Sequence, residues 1–106
     1  MKTFDAYGFK KVPRETVAGI VADALGVHFE DHDSLYWGDC KVATVGAETF
    51  RVFSNYNVFE NEWFENENRD CAVLLYIEAT ERADEIRQRL MERLPTITPL
   101  RREQYA

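Results

Sequence analysis

The period of apolar and polar positions changes several times along the chain, and each change marks an element. Residues 3–9 alternate imperfectly, with Phe4, Ala6 and Tyr7 ahead of Gly8, and read as a short strand. Pro13 then sits where a first helical residue belongs, because its fixed φ suits the first turn, and Glu15 lies near the positive end of the dipole. Val17, Ile20, Val21, Ala24 and Leu25 follow at helical spacing, and Gly26 supplies the stop. A first amphipathic helix is predicted from Pro13 to Leu25.

From Val27 the period becomes two. Val27 and Phe29, then Leu35, Tyr36 and Trp37, predict a strand interrupted by the acidic run 30–33, with Gly38-Asp39 as a two-residue hairpin turn. A strand over 41–45, a turn at Gly46-Ala47 and a strand over 49–56 complete a three-stranded antiparallel meander, with Phe50, Val52 and Tyr56 on one face. Residues 57–70 read as a long polar loop in which Asn57, Asn61, Asn66 and Asn68 interleave with Glu60, Glu62, Glu65 and Glu67. Unstructured connections longer than about 12 residues are usually functional or disordered.

Residues 71–79 are almost unbroken apolar sequence, which predicts a strand buried on both faces. Thr80 is placed to cap a second helix, with Glu81, Asp84 and Glu85 in its first turn. Ala83, Ile86, Leu90 and Leu94 form its apolar stripe, ending before Pro95, and Ile97 and Leu100 suggest a short edge strand in the tail. The order is β-α-β-β-β-α with that last strand added. It predicts an α+β fold: an antiparallel sheet of about five strands with two helices packed on one face, as a single domain over residues 1–106.

Length and composition narrow the function classes. A chain of 106 residues, 45% hydrophobic and 30% charged, can bury one real core. Thirteen basic residues against nineteen acidic ones leave a net charge of −6, which argues against nucleic acid or an anionic membrane surface as partner. No run approaches the ~18 apolar residues of a transmembrane helix. An acid at position 5 and no apolar stretch behind it do not make a signal peptide, so a cytoplasmic address is expected. Cys40 and Cys71 are too few for a disulfide scaffold and read as two buried thiols.

The acidity is concentrated. Residues 28–39 carry Glu30, Asp31, Asp33 and Asp39 with no base, a charge of −4. Residues 60–70 carry five acids against Arg69, again −4, and the rest of the chain is +2. The second acidic segment and its border also hold Phe59, Trp63 and Phe64. Two readings stand side by side: aromatic anchors ringed by charge, as in a protein-binding hot spot, or a solvated loop that folds Trp63 back onto the sheet as a lid.

Candidate chemistry is sparse. His28 and His32 would share a helix face, but along a strand they lie ~13 Å apart and cannot grip one metal without a bulge. Ser34 beside His32 lacks nucleophile–base–orienter geometry. No phosphate-binding glycine loop or nucleophile elbow occurs, and the paired carboxylates look uniformly solvated. The arginines of the second helix, interleaved with acids, read as a salt-bridged solvent face. No catalytic residue, metal or cofactor is assigned, and the chain is not expected to be an enzyme.

Residues 24–30 (Ala-Leu-Gly-Val-His-Phe-Glu) leading to 34–38 (Ser-Leu-Tyr-Trp-Gly), and 73–77 (Val-Leu-Leu-Tyr-Ile) running into 80–84 (Thr-Glu-Arg-Ala-Asp), carry a resemblance. The chain resembles the small immunity proteins of bacterial contact-dependent inhibition and related polymorphic-toxin systems. That resemblance implies a cytoplasmic, non-catalytic protein that binds one cognate toxin domain tightly, many such toxins being nucleases with basic clefts. On this reading Asp31, Asp33, Glu60, Glu62 and Glu65 make electrostatic contacts, Trp63 and Phe64 are anchors, and the free protein is a monomer or weak homodimer. Two rivals are a small regulatory or adaptor domain that self-associates through a sheet edge, and a metal-dependent enzyme using His28 and His32.

Overall fold

Strand pairing draws both ends of the chain into one sheet. The computed structural model describes all 106 residues. In chain order the elements are β1 (Lys2–Phe9), α1 (Arg14–Leu25), β2 (Glu30–Ser34), β3 (Gly38–Val45), β4 (Glu48–Ser54), the two-residue β5 (Tyr56–Asn57) and β6 (Glu62–Trp63), a 3-10 turn (Asn66–Asn68), β7 (Val73–Thr80), α2 (Ala83–Arg93) and β8 (Thr98–Tyr105). Six strands form an antiparallel sheet in the order β2-β3-β4-β7-β1-β8, and β5 pairs with β6 separately. The fold is α+β, and its main sheet has six strands where about five were expected.

Both helices lie on one face. Val17, Val21 and Leu25 of α1 and Ile86 and Leu90 of α2 pack with Tyr7, Phe50, Val52, Leu75 and Ile77 into the larger core. Residues alternating with these point the other way: Ala6, Cys40, Phe53, Leu74 and Tyr76 form a second core, with Phe4, Trp37, Phe64 and Leu100 at its margin. Segment 55–72 covers part of this second face. That explains the unbroken apolar run of β7, where Val73, Leu75 and Ile77 face the helices while Leu74 and Tyr76 face the covering segment. The cover sits close: a Cβ on Gly8 of β1 would come within 2.5 Å of Cys71 Sγ.

Helix α1 begins after Pro13, which is extended (ψ 153°), and stops at Gly26, whose φ of +67° and N–H to the Ala22 carbonyl close the last turn as the glycine predicts. The turn at Gly46-Ala47 also stands where the pattern puts it, between the paired Val45 and Glu48. A buried carboxylate fastens the far edge. Asp5 of β1 is 1% exposed and receives Arg102 Nε and Nη2 of β8 at 2.7 and 2.9 Å, while Arg102 Nη1 reaches Asp84 of α2 at 2.7 Å.

Four expectations are corrected. The acidic run does not interrupt a strand; residues 30–34 are the strand β2, and Leu35, Tyr36 and Trp37 are its turn. The physical reason lies in Ser34, whose hydroxyl accepts the backbone N–H groups of Tyr36 and Trp37, and in Gly38, whose φ of +70° starts the return strand. Strand β2 is at the sheet edge with little covering either face, so it carries charge where a central strand could not. Thr80 is not a helix cap but the last residue of β7; its hydroxyl accepts from Arg82 N–H and donates to Glu48. The last strand lies at the sheet edge as expected, but it is eight residues long rather than short. Finally, segment 57–70 is not an unstructured loop: β5, β6 and the 3-10 turn give it internal order.

Candidate partner-binding surface

Two asparagines organise the covering segment. Asn55 is fully buried; its amide donates to the Asn68 and Cys71 carbonyls, each at 2.9 Å, and its oxygen accepts Glu65 N–H at 2.8 Å. Asn57 builds a turn, its oxygen accepting Phe59 and Glu60 N–H at 3.0 and 3.2 Å. Its amide then donates to the Tyr36 carbonyl at 2.7 Å. That bond joins the β2–β3 turn to the β5–β6 turn, and so brings the two acidic segments of the sequence together.

The joined turns leave large apolar side chains in solvent: Leu35 is 77% exposed, Tyr36 61%, Val58 71% and Phe59 57%. Val58 and Phe59 line a shallow cleft with Asp33 and Asp39, and Arg14 is the one base on its wall. Glu60 and Glu62 line the neighbouring cleft with Tyr36 and Trp63. Asp33 lies directly opposite Asp39 across β2 and β3, a like-charge pairing that costs the sheet stability. Asp33, Glu60 and Glu62 are exposed and none is in an ion pair, so their charges face solvent uncancelled.

The residues singled out in the sequence divide. Asp31 is exposed but occupied: Lys41 Nζ lies 2.5 Å from its carboxylate, and that hydrogen bond holds its pKa below the ordinary aspartate value. Trp63 is half-buried, edge-on to Tyr56 with ring centroids 5.1 Å apart and the Arg69 guanidinium 5.7 Å from its own centroid. Phe64, expected as an outward anchor, is instead the lid residue, stacked on Trp37 at 5.5 Å and edge-on to Phe53 at 5.0 Å. Glu65 is not a solvated acid either. It is buried, it accepts the Tyr76 hydroxyl, and it pairs with Arg101 at 3.0 Å. Burial first, and then this carboxylate, raises the Tyr76 pKa above the ordinary tyrosine value. Of the two readings of this segment, each therefore describes part of it: Phe64 closes the second core while the turn at 58–62 faces outward.

In the sequence Leu35, Tyr36 and Val58 read as strand or loop filler. Their signal was local. Ser34 and Asn57, both turn formers that bond the backbone two or three residues on, each immediately precede a pair of apolar residues.

His28 and His32 are exposed, and no group of three or more His, Cys, Asp or Glu side chains is placed to hold a metal ion. Cys40 and Cys71 are free and buried, and burial raises both thiol pKa values, which favours the unreactive neutral form. Compared with known proteins, the chain matches no family model, and no curated protein matches it significantly.

Proposed function

We propose that this protein is a non-catalytic immunity protein that neutralises a cognate toxin domain by stoichiometric contact in the cytoplasm. The observation that carries the reading is the meeting of two acidic segments at one end of the sheet, tied by the Asn57–Tyr36 bond. Unpaired carboxylates grouped beside exposed apolar side chains favour encounter with a basic partner and make its association salt-sensitive. A nuclease-like domain with a basic cleft is the partner class this charge suits, and Asp33, Glu60 and Glu62 are its electrostatic contacts. No helix is long and apolar enough to cross a membrane, and the reading assigns no catalytic residue and no cofactor.

The test is co-expression of a tagged copy with the product of the adjacent upstream gene. A 1:1 complex that weakens with salt supports the reading, and Asp33→Lys, Glu60→Lys and Glu62→Lys together should weaken it further and flatten its salt dependence. Recovery of the tagged protein alone, with the neighbour harmless to cells, rejects it. The self-associating adaptor is favoured by a separate observation, the open outer edge of the eight-residue β8. A dimer by light scattering would move the weight there.

A further inference from the structure

Single apolar side chains at a surface need no explanation. Leu35, Tyr36, Val58 and Phe59 are different, because they occupy two adjoining turns that close without their burial. The turns are made by Ser34 and Asn57 bonding to backbone, and the inward positions are filled by Trp37 and Phe64. Val58 and Phe59 line one cleft with Asp33 and Asp39. Tyr36 lines the next with Glu60 and Glu62 while its ring rests edge-on against Trp37 and Phe64, and Leu35 precedes it in the same turn. Exposed apolar side chains beside acids have the layout of an interface centre with a charged rim.

We infer that these four side chains anchor the partner, and that the partner is a protein surface with an apolar pocket bordered by lysine and arginine. This rests on the reading of the chain as a binding protein, and replaces Trp63 and Phe64 as its anchors. Charge selects the occupant. A second copy docked two-fold on the same patch would set the four rim carboxylates against their own counterparts, with Arg14 as the one base on that cleft wall. A basic surface meets no such penalty, and its arginines can also lie against the Tyr36 and Phe59 rings.

The test needs no knowledge of the natural partner. A phage-displayed library of random 12-residue peptides is selected on the full chain, and the enriched peptides are measured against two variants, Leu35→Ser with Phe59→Ser, and Val58→Lys alone. All three side chains are exposed, and unchanged thermal unfolding of either variant confirms that it is folded. The expected result is peptides combining Lys or Arg with aromatic or aliphatic residues, bound at least about tenfold more weakly by both variants. Peptides that bind the variants as well as the parent, or a selection that enriches no such peptide, overturn the inference. Because the peptides probe the patch directly, a failed co-purification with the neighbouring gene product rejects the toxin reading without touching this one.

Discussion

The Asn57 side-chain amide donates to the Tyr36 backbone carbonyl across 2.7 Å while its oxygen holds the N–H groups of Phe59 and Glu60. One buried side chain thus shapes one turn and ties it to another 21 residues away. Replacing it by alanine removes all three bonds and should destabilise the fold by about 1–3 kcal/mol, since a buried group left without a partner costs that much. Urea unfolding checks the magnitude. Hydrogen exchange checks the place, with the Phe59 and Glu60 amides expected to lose protection.

Phe64 and Trp63 are neighbours in sequence with opposite environments. Phe64→Ala opens the aromatic cluster around Trp37 and Phe53 and is expected to cost about 2–3 kcal/mol, less than a fully enclosed phenylalanine because its edge reaches solvent. Trp63→Ala loses packing on Tyr56 at the margin of the structure and should cost about 1 kcal/mol. The order of the two denaturation midpoints decides; a larger loss for Trp63 would mean that the lid is misassigned.

Asp5 and Arg102 tie the first strand to the last through two bonds, one end buried. Asp5→Ala should cost about 2–3 kcal/mol, below the loss for a fully buried pair because Arg102 is a quarter exposed and keeps Asp84. Asp5→Asn should cost less, since Tyr7 and Arg102 still find an oxygen. Thermal unfolding of both variants measures the difference.

Glu48 binds Arg82 through both carboxylate oxygens, and that hydrogen bonding holds its pKa below the ordinary glutamate value, aided by the Thr80 hydroxyl and opposed by burial. A carboxyl with a depressed folded pKa adds stability that is complete above its unfolded value of ~4.3 and disappears as pH falls through the depressed one. Stability should therefore decline below that value in the parent, and less steeply in Glu48→Gln. Urea midpoints taken from neutral pH down to about 3 test this; parallel profiles would remove Glu48 from the acid response.

Elements with a local code were legible. Pro13 and Gly26 bracket α1, and Gly46 marks its turn, because each acts through its own backbone angles. The apolar run before Thr80 announced a strand covered on both sides, and the burial of Val73 to Ile77 agrees. Residues 30–38 depart from the apolar pattern for a physical reason: Leu35, Tyr36 and Trp37 have strand-like side chains, while the strand itself is Glu-Asp-His-Asp-Ser. Strand preference reflects a half-buried surface, and an edge strand without that burial leaves no apolar pattern to read.

Charge segregation was written in the chain: two segments at −4 each and the rest at +2. Which of those acids face solvent was not. Glu65 and Glu62 are three residues apart in one acidic run, yet Glu65 is drawn inward by Arg101 and Tyr76, which come from β8 and β7. Such partners are distant in sequence, so only the completed sheet brings them to the carboxylate. The same holds for the surface at the β2–β3 and β5–β6 turns. Composition supplies its acids and aromatics, local bonding by Ser34 and Asn57 shapes each turn, and one bond between turns makes them a single site. Period and turn chemistry act over a few residues and can be read directly. Burial and adjacency depend on what packs opposite, and that is decided by the tertiary structure.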